Sequence, residues 1–230
     1  MARDPEYPPY RDGEPVPTVL DALLGRAPAR TPAVRQDRPV GTFEKNVVNY
    51  LVLEQLLTDV TGADFPALAR ETVLDPLGMT GSGYEAGFPH GSGRPIAHGH
   101  DTFGTPIDGF GLIHPATAAG GLWTTAADLA RVQLEIRRAY LGEPALITRE
   151  LAGQMLTATP GSLYGLSMVV DRSEKELDFG AVGEFTGYWA MTMCRVTGGD
   201  GFVLLANGDG GRGVAAFITE LSGTQRFGAE

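Results

Sequence analysis

The chain has 230 residues, 43% of them hydrophobic, enough for a sizeable core in one domain. Its 28 acidic residues against 18 basic give a net charge of −10, which argues against nucleic acid or an anionic membrane as the main partner. A single cysteine excludes an internal disulfide framework, no apolar run reaches membrane-spanning length, and Met1-Ala2-Arg3-Asp4-Pro5 opens no apolar signal region, so a cytoplasmic location is expected.

Residues 1–16 are rich in proline and charge and read as an extended surface segment. Pro17-Thr18 opens a short helix over Val19–Leu24, closed by Gly25. Prolines and arginines over 26–41 read as a loop with an extended piece near Val34. Thr42 is placed to cap the next helix; apolar residues at 50, 53, 57 and 60 predict one buried stripe, and Gly62 ends it. A second helix is expected over 65–73, followed by a tight turn at Asp75–Met79. Residues 81–117 are glycine-rich and irregular; a loop of that length inside a domain is usually functional or mobile. Thr124 or Thr125 caps a helix to about Tyr140, and Thr148 caps another ending near Leu156. Strands are expected near 163–171, 176–180, 186–196 and 201–207, with Gly198-Gly199-Asp200-Gly201 as the turn between the last two. A final helix is expected over 214–221. The pattern is α+β: an antiparallel sheet flanked by helices, in a single domain over 1–230.

Several stretches carry a resemblance. Residues 42–80 read TFEKNVVNYLVLEQLLTDVTGADFPALARETVLDPLGMT, residues 118–130 read AAGGLWTTAADLA, and the remainder runs from YGLSMVV at 164 through FGAVGEFTGYW at 179 to FVLLANGD at 202. In this order they resemble the serine β-lactamase and penicillin-binding-protein-like family, in its branch of class C β-lactamases, esterases and D-amino peptidases. The resemblance starts around Tyr7 and covers nearly all of the chain. It implies a β-lactamase-like fold truncated at its N-terminus, lacking the N-terminal strands and the central nucleophile helix, with 81–117 walling the pocket. Such a loss uncovers a sheet edge and an apolar face, so a homodimer or a partner chain is expected to cover them.

The resemblance also says where chemistry belongs. Family members carry Ser-x-x-Lys, whose serine attacks a carbonyl while the lysine takes its proton. The two lysines here, Lys45 and Lys175, do not follow a serine by three residues, and the stretch that carries this motif lies upstream of everything that aligns. The family's Tyr-x-Asn falls by spacing on Lys45 and Val47, and its Lys/His-x-Gly on Ala181-Val182-Gly183. Activating a serine needs a base within hydrogen-bond reach, and both internal motifs have lost theirs. No Gly-x-Ser-x-Gly elbow replaces them, and Cys194 lies in an apolar strand, where a cysteine is usually an inert core residue.

Three polar residues remain as candidate catalytic groups. Lys45 stands at the tyrosine position, where a desolvated amine acts as base or electrostatic clamp; its plain alternative is a solvated first-turn lysine beside Glu44. His114 precedes the Ala118-Ala119-Gly120-Gly121 turn that approaches the family's pocket, and a histidine there is an acid or base near neutral pH. Glu184 follows the third motif on the pocket rim. Val47, Trp123, Ala181, Phe185, Tyr188 and Trp189 are the candidate substrate-binding residues; aromatics that face a cavity suit a large apolar ligand, and aromatics that face the core are packing. His90, His98, His100 and Asp101 match no named metal spacing, and Gly208-Asp209-Gly210-Gly211-Arg212-Gly213 follows a hairpin strand rather than opening a βαβ unit, so no metal and no nucleotide cofactor is expected.

The expected function is a repurposed, non-hydrolytic pocket protein that binds a largely apolar small molecule. It could extend to a nucleophile-free cyclisation, isomerisation or elimination in small-molecule biosynthesis. The alternatives are a non-catalytic binding or regulatory module, and one half of a split serine hydrolase completed by a partner chain.

Overall fold

The computed structural model describes residues 10–11, 13–35, 39, 43, 46–85, 93, 95–107, 113–172, 176–211 and 213–214. Two compact units divide the chain. One comprises Met1–Asp75, Thr80–His98 and Pro106–Thr124, the other Pro76–Met79, Gly99–Thr105 and Thr125–Glu230.

In the first unit, α1 spans Val19–Leu24; the Thr18 side chain accepts from the Asp21 N–H, and Gly25 closes the helix in the left-handed region at φ 62°. α2 spans Val48–Thr61 and ends at Gly62. Its first turn is held by Asn46, whose Oδ1 accepts from the Val48 N–H at 2.9 Å; Thr42, the expected cap, lies outside the described residues.

The buried stripe of α2 differs from the expected one. Leu51 and Glu54 are buried, whereas Leu53 is 49% and Val60 76% exposed. Glu54, Gln55, Thr58, Asp59 and Thr61 lie on the side of the buried Leu51, and the apolar stripe of Val52, Leu53, Leu56, Leu57 and Val60 is the side left exposed, so periodicity points to the face that the described residues do not bury. The choice falls to tertiary partners: Leu51 packs with Ala22 of α1 and with Ala116, joined by Val19, Leu23, Val34, Val47, Val48 and Ala119.

α3 is short, Phe65–Ala69, capped by the Asp64 side chain with Pro66 in its first turn. The expected single helix to 73 instead loosens into a π-helical turn over Arg70–Leu74. A two-residue ladder pairs β1, Gly83–Tyr84, with β2, Leu122–Trp123, and a one-turn helix α4, Thr117–Gly120, leads into β2. Tyr10 belongs to the expected surface segment, yet it is buried. It exchanges backbone hydrogen bonds with Ile113 at 2.8 and 2.6 Å, and its hydroxyl accepts from the Arg30 N–H at 3.1 Å beneath the Arg30 guanidinium.

In the second unit, α5 spans Ala126–Leu141 and α6 spans Arg149–Met155, capped by the hydroxyls of Thr125 and Thr148. Four antiparallel strands follow in the order β3-β4-β5-β6: Val169–Arg172, Leu177–Phe185, Tyr188–Arg195 and Gly201–Ala206. The first is shorter than the 163–171 expected, because Ser167 sits at φ 64° and interrupts the extended run.

Alternation sorts the sheet's side chains onto two faces. Val170, Leu177, Phe179, Cys194 and Val196 pack with Ile136 of α5 and with Leu156. Trp189, Met191 and Met193 form a second cluster with Val169, Phe202, Leu204 and Ala206. Burial pushes the Cys194 thiol up to about 11, so it stays protonated at neutral pH. Across β4 and β5, Arg195 holds the buried Asp178 carboxylate bidentately at 3.0 and 3.1 Å. Mixed helices and antiparallel strands match the α+β expectation. No described helix is long and apolar enough to cross a membrane.

Candidate functional site

The second unit carries the strand where the resemblance places a pocket cation. Backbone direction along that strand follows from three bonds. The Val196 N–H donates to the Leu177 carbonyl at 2.8 Å, the Ala181 N–H reaches the Thr192 hydroxyl at 3.0 Å, and the Arg195 N–H donates to the Asp200 carbonyl at 2.7 Å. In an antiparallel ladder alternate residues turn their N–H and C=O to opposite neighbours. Odd-numbered residues of β4 therefore face β5, and Asp178, Gly180, Val182 and Glu184 turn outward.

β3 pairs with β4 only from Leu177 to Gly180. Beyond it, among the described residues, no strand is paired to the outer side of Ala181–Phe185. Val182 is 36% exposed there, and Gly183 has open space where a side chain would stand. Gly180 is required by close approach: the Thr192 carbonyl oxygen lies 2.0 Å from where its Cβ would be.

The candidate residues of this hairpin fall on two faces. Ala181 is half-buried, opposite Thr192, whose hydroxyl also accepts from Gln133 Nε2 at 2.5 Å. Phe185 pairs with Tyr188, and alternation puts both on the face of Ala181. Glu184 is exposed and pairs with Trp189 on the other face, where Trp189 is 6% exposed within the methionine cluster. Trp189 thus serves the core. Burial pushes the Tyr188 phenol up, with a hydrogen bond from the Gly99 backbone opposing the shift. The Asp209 carboxylate accepts from the Gly187 N–H at 2.7 Å, and His100 Nδ1 donates to the Asn207 carbonyl at 3.0 Å. These bonds hold 99–101 and 207–209 around the hairpin. Asp101 accepts from the N–H groups of Phe103 and Thr105, and the turn presents Phe103 at 92% exposure.

In the first unit, His114 Nδ1 accepts from the Ala116 N–H at 3.1 Å, so the neutral ring carries its hydrogen on Nε2. Val47 packs in the cluster that contains Ala116, two residues beyond His114. Trp123 is half-buried in β2, opposite Gly83. Lys45 lies outside the described residues.

Two features here are not apparent from motif spacing. The Glu54 carboxylate accepts from the Ala118 N–H at 2.7 Å, tying α2 to α4. Burial pushes its carboxyl up, against the opposing bonds from Ala118 and Thr117. The sequence signal for it is a lone charge within the apolar run Tyr50-Leu51-Val52-Leu53-Glu54. Ser82, fully buried, shares a 2.7 Å hydrogen bond with Thr124 and closes the β1–β2 ladder.

Among the described residues no group of three or more His, Cys, Asp or Glu is placed to hold a metal ion. An open cleft of about 480 Å³ is lined by Thr157, Ala158, Leu163, Val170, Asp171 and Arg172, and contains none of the candidate residues.

The comparisons with known proteins agree with this geometry at the level of fold. A family model described as Beta-lactamase matches residues 3–228. The octameric penicillin-binding protein homologue from Pyrococcus abyssi superposes with a TM-score of 0.68 at 20% identity, over 93% of this chain and 50% of its own. D-amino acid amidase from Ochrobactrum anthropi SV3, complexed with D-phenylalanine, gives 0.65 at 18% identity, over 94% of this chain and 71% of its own. Penicillin-binding protein from Bacillus halodurans gives 0.65 at 21% identity, over 93% and 65%. The chain thus spans half the length of the Pyrococcus protein. No curated protein matches it. With the family model covering almost every residue and the antiparallel sheet in place, the chain belongs to the β-lactamase family.

Proposed function

We propose that this chain is a non-hydrolytic β-lactamase-family protein that binds an extended, largely apolar small molecule along the outer edge of β4. The observation that carries the reading is Ala181-Val182-Gly183. An aliphatic side chain stands where the family resemblance calls for a cation, while the strand still turns the Val182 N–H and C=O outward past the end of β3. A ligand amide or ester pairs with those two groups in the manner of an added strand, and this recognition needs no nucleophile. Phe185 and Tyr188 supply apolar surface on one face of the hairpin, and Glu184 supplies charge on the other. Any turnover then comes from holding a reactive conformer rather than from acylation. Glu184 remains its proposed polar group in this unit, and Lys45 and His114 remain proposed polar groups of the first unit.

The test joins binding and labelling. Native mass spectrometry of the protein purified from its own host should show a bound small molecule, and Val182→Pro should lose it. That substitution removes an outward N–H and leaves the β4–β5 ladder whole. Nitrocefin and D-phenylalanine amide should not be hydrolysed, and a fluorophosphonate probe should leave the mass unchanged. Covalent labelling of any serine would sink the reading.

A competing reading is a serine hydrolase completed by a second chain that brings Ser-x-x-Lys. It draws on the amidase among the structural neighbours and on the partial span of that protein. Labelling of such a partner in a co-purified complex would establish it.

A further inference from the structure

We infer that the open cleft beside β3 is a second, noncovalent binding site, which takes a small N-acylated amino acid through its amide N–H and its free carboxylate. The cleft lies in the second unit, measures about 480 Å³ and shares no residue with the outer edge of β4. A volume of that size suits a small molecule. Its floor is the outer edge of β3. Asp171 pairs with Asp178, and the Val170 N–H donates away from β4 to the Leu163 carbonyl at 2.7 Å. Alternation therefore turns the Val170 C=O and the Arg172 N–H outward. Among the described residues neither makes a hydrogen bond.

That pair of groups specifies the ligand's backbone. An acceptor and a donor on either side of Asp171 match the N–H and C=O of a single residue laid alongside it in the parallel sense. The ligand's N–H then reaches the Val170 carbonyl, and its carbonyl end reaches the Arg172 N–H. Leu163 already fills the lane beside Val170. The acyl group must therefore turn aside across Ala158 and Thr157, and a longer added strand is shut out.

The Arg172 side chain decides the charge. Alternation puts it on the face of Val170 and Leu177, toward α5, where its Nη2 donates to the Tyr140 hydroxyl at 3.3 Å. Among the described residues its guanidinium pairs with no carboxylate, unlike those of Arg138 and Arg195, which hold Glu135 and Asp178. The phenol orients the fork without neutralising it and leaves N–H donors next to the Arg172 backbone N–H. A carboxylate at the end of the ligand residue meets both: one oxygen accepts from the backbone N–H, the other from the guanidinium. The Asp171 carboxylate does not compete, because alternation sends it to the opposite face, where Arg195 holds Asp178. Leu163, 36% exposed, and Ala158 offer apolar surface to the acyl group. The chain's charge of −10 opposes an anion at long range, so the attraction is local to Arg172.

Amide-resolved NMR titration of the full chain with N-acetyl-L-phenylalanine tests this. The Arg172 and Leu163 amide signals should move saturably. Val182→Pro should bind the acid as the wild type does, which separates this site from the β4 edge. N-acetyl-L-phenylalanine amide keeps the N–H and loses the charge, and should bind at least about tenfold more weakly. Phenylpropionate keeps the carboxylate and lacks the N–H, and should bind at least about threefold more weakly. Arg172→Gln should weaken binding of the acid by at least about tenfold and remove the preference for acid over amide. Arg172 is exposed, so the rest of the spectrum should stay in place. No saturable movement of the Arg172 signal up to ~10 mM acid overturns the inference. So do equal affinities for acid and amide, an undiminished response in Arg172→Gln, or inorganic phosphate binding as tightly as the acid, which marks a plain anion contact.

Discussion

Glu54 shows how one side chain couples stability to pH. Its carboxyl is held above the ordinary value of 4.5, chiefly by burial, so the folded chain holds this proton more tightly than the unfolded chain does. Folding therefore favours the protonated form, and this contribution to stability falls as pH rises from 4.5 through the raised folded value. Glu54→Gln keeps an acceptor for the Ala118 N–H and cannot ionise. Thermal melts between pH 4.5 and 7 should show the variant gaining on the wild type as pH rises. Glu54→Ala should cost about 1–3 kcal/mol near pH 4.5, because the Ala118 N–H is left without its acceptor, and the cost should shrink as pH rises. A flat difference between Glu54→Gln and wild type would exclude the titration.

Among the helices and strands, what was legible in the sequence is what local chemistry decides. Thr18, Thr125 and Thr148 cap helices where a hydroxyl before an apolar run predicts it, and Gly25 and Gly62 end helices in the left-handed region. Thr125→Ala should cost about 1 kcal/mol in chemical denaturation, since the Asp128 N–H loses its acceptor. A loss below ~0.3 kcal/mol would mean that packing alone sets the start of α5. Contacts distant in sequence were not legible. The buried face of α2 is chosen by Ala22 and Ala116, and the shift of β3 by Ser167. Spacing put the family's third motif on Ala181-Val182-Gly183, but it did not show that Glu184 and Trp189 share one face of the hairpin while Ala181, Phe185 and Tyr188 share the other. That division comes from the phase of the ladder, which only the paired strand supplies.

Taken whole, the molecule is acidic, and its net charge of −10 sets its long-range behaviour. At low salt it should pass through a heparin column unretained and should not sediment with anionic vesicles. Retention on either would reveal a basic patch that the sum conceals.

The backbone exchange between Tyr10 and Ile113 has a consequence for the order of events in folding. It joins residues about a hundred apart in sequence, within the first unit. Closing a loop of that length costs chain entropy before any contact repays it. Tyr10 leaves the ribosome before Ile113, so its backbone groups must wait for a partner made about a hundred residues later. The seat of Tyr10 against Arg30 and Pro28 gives it a local resting place for that interval.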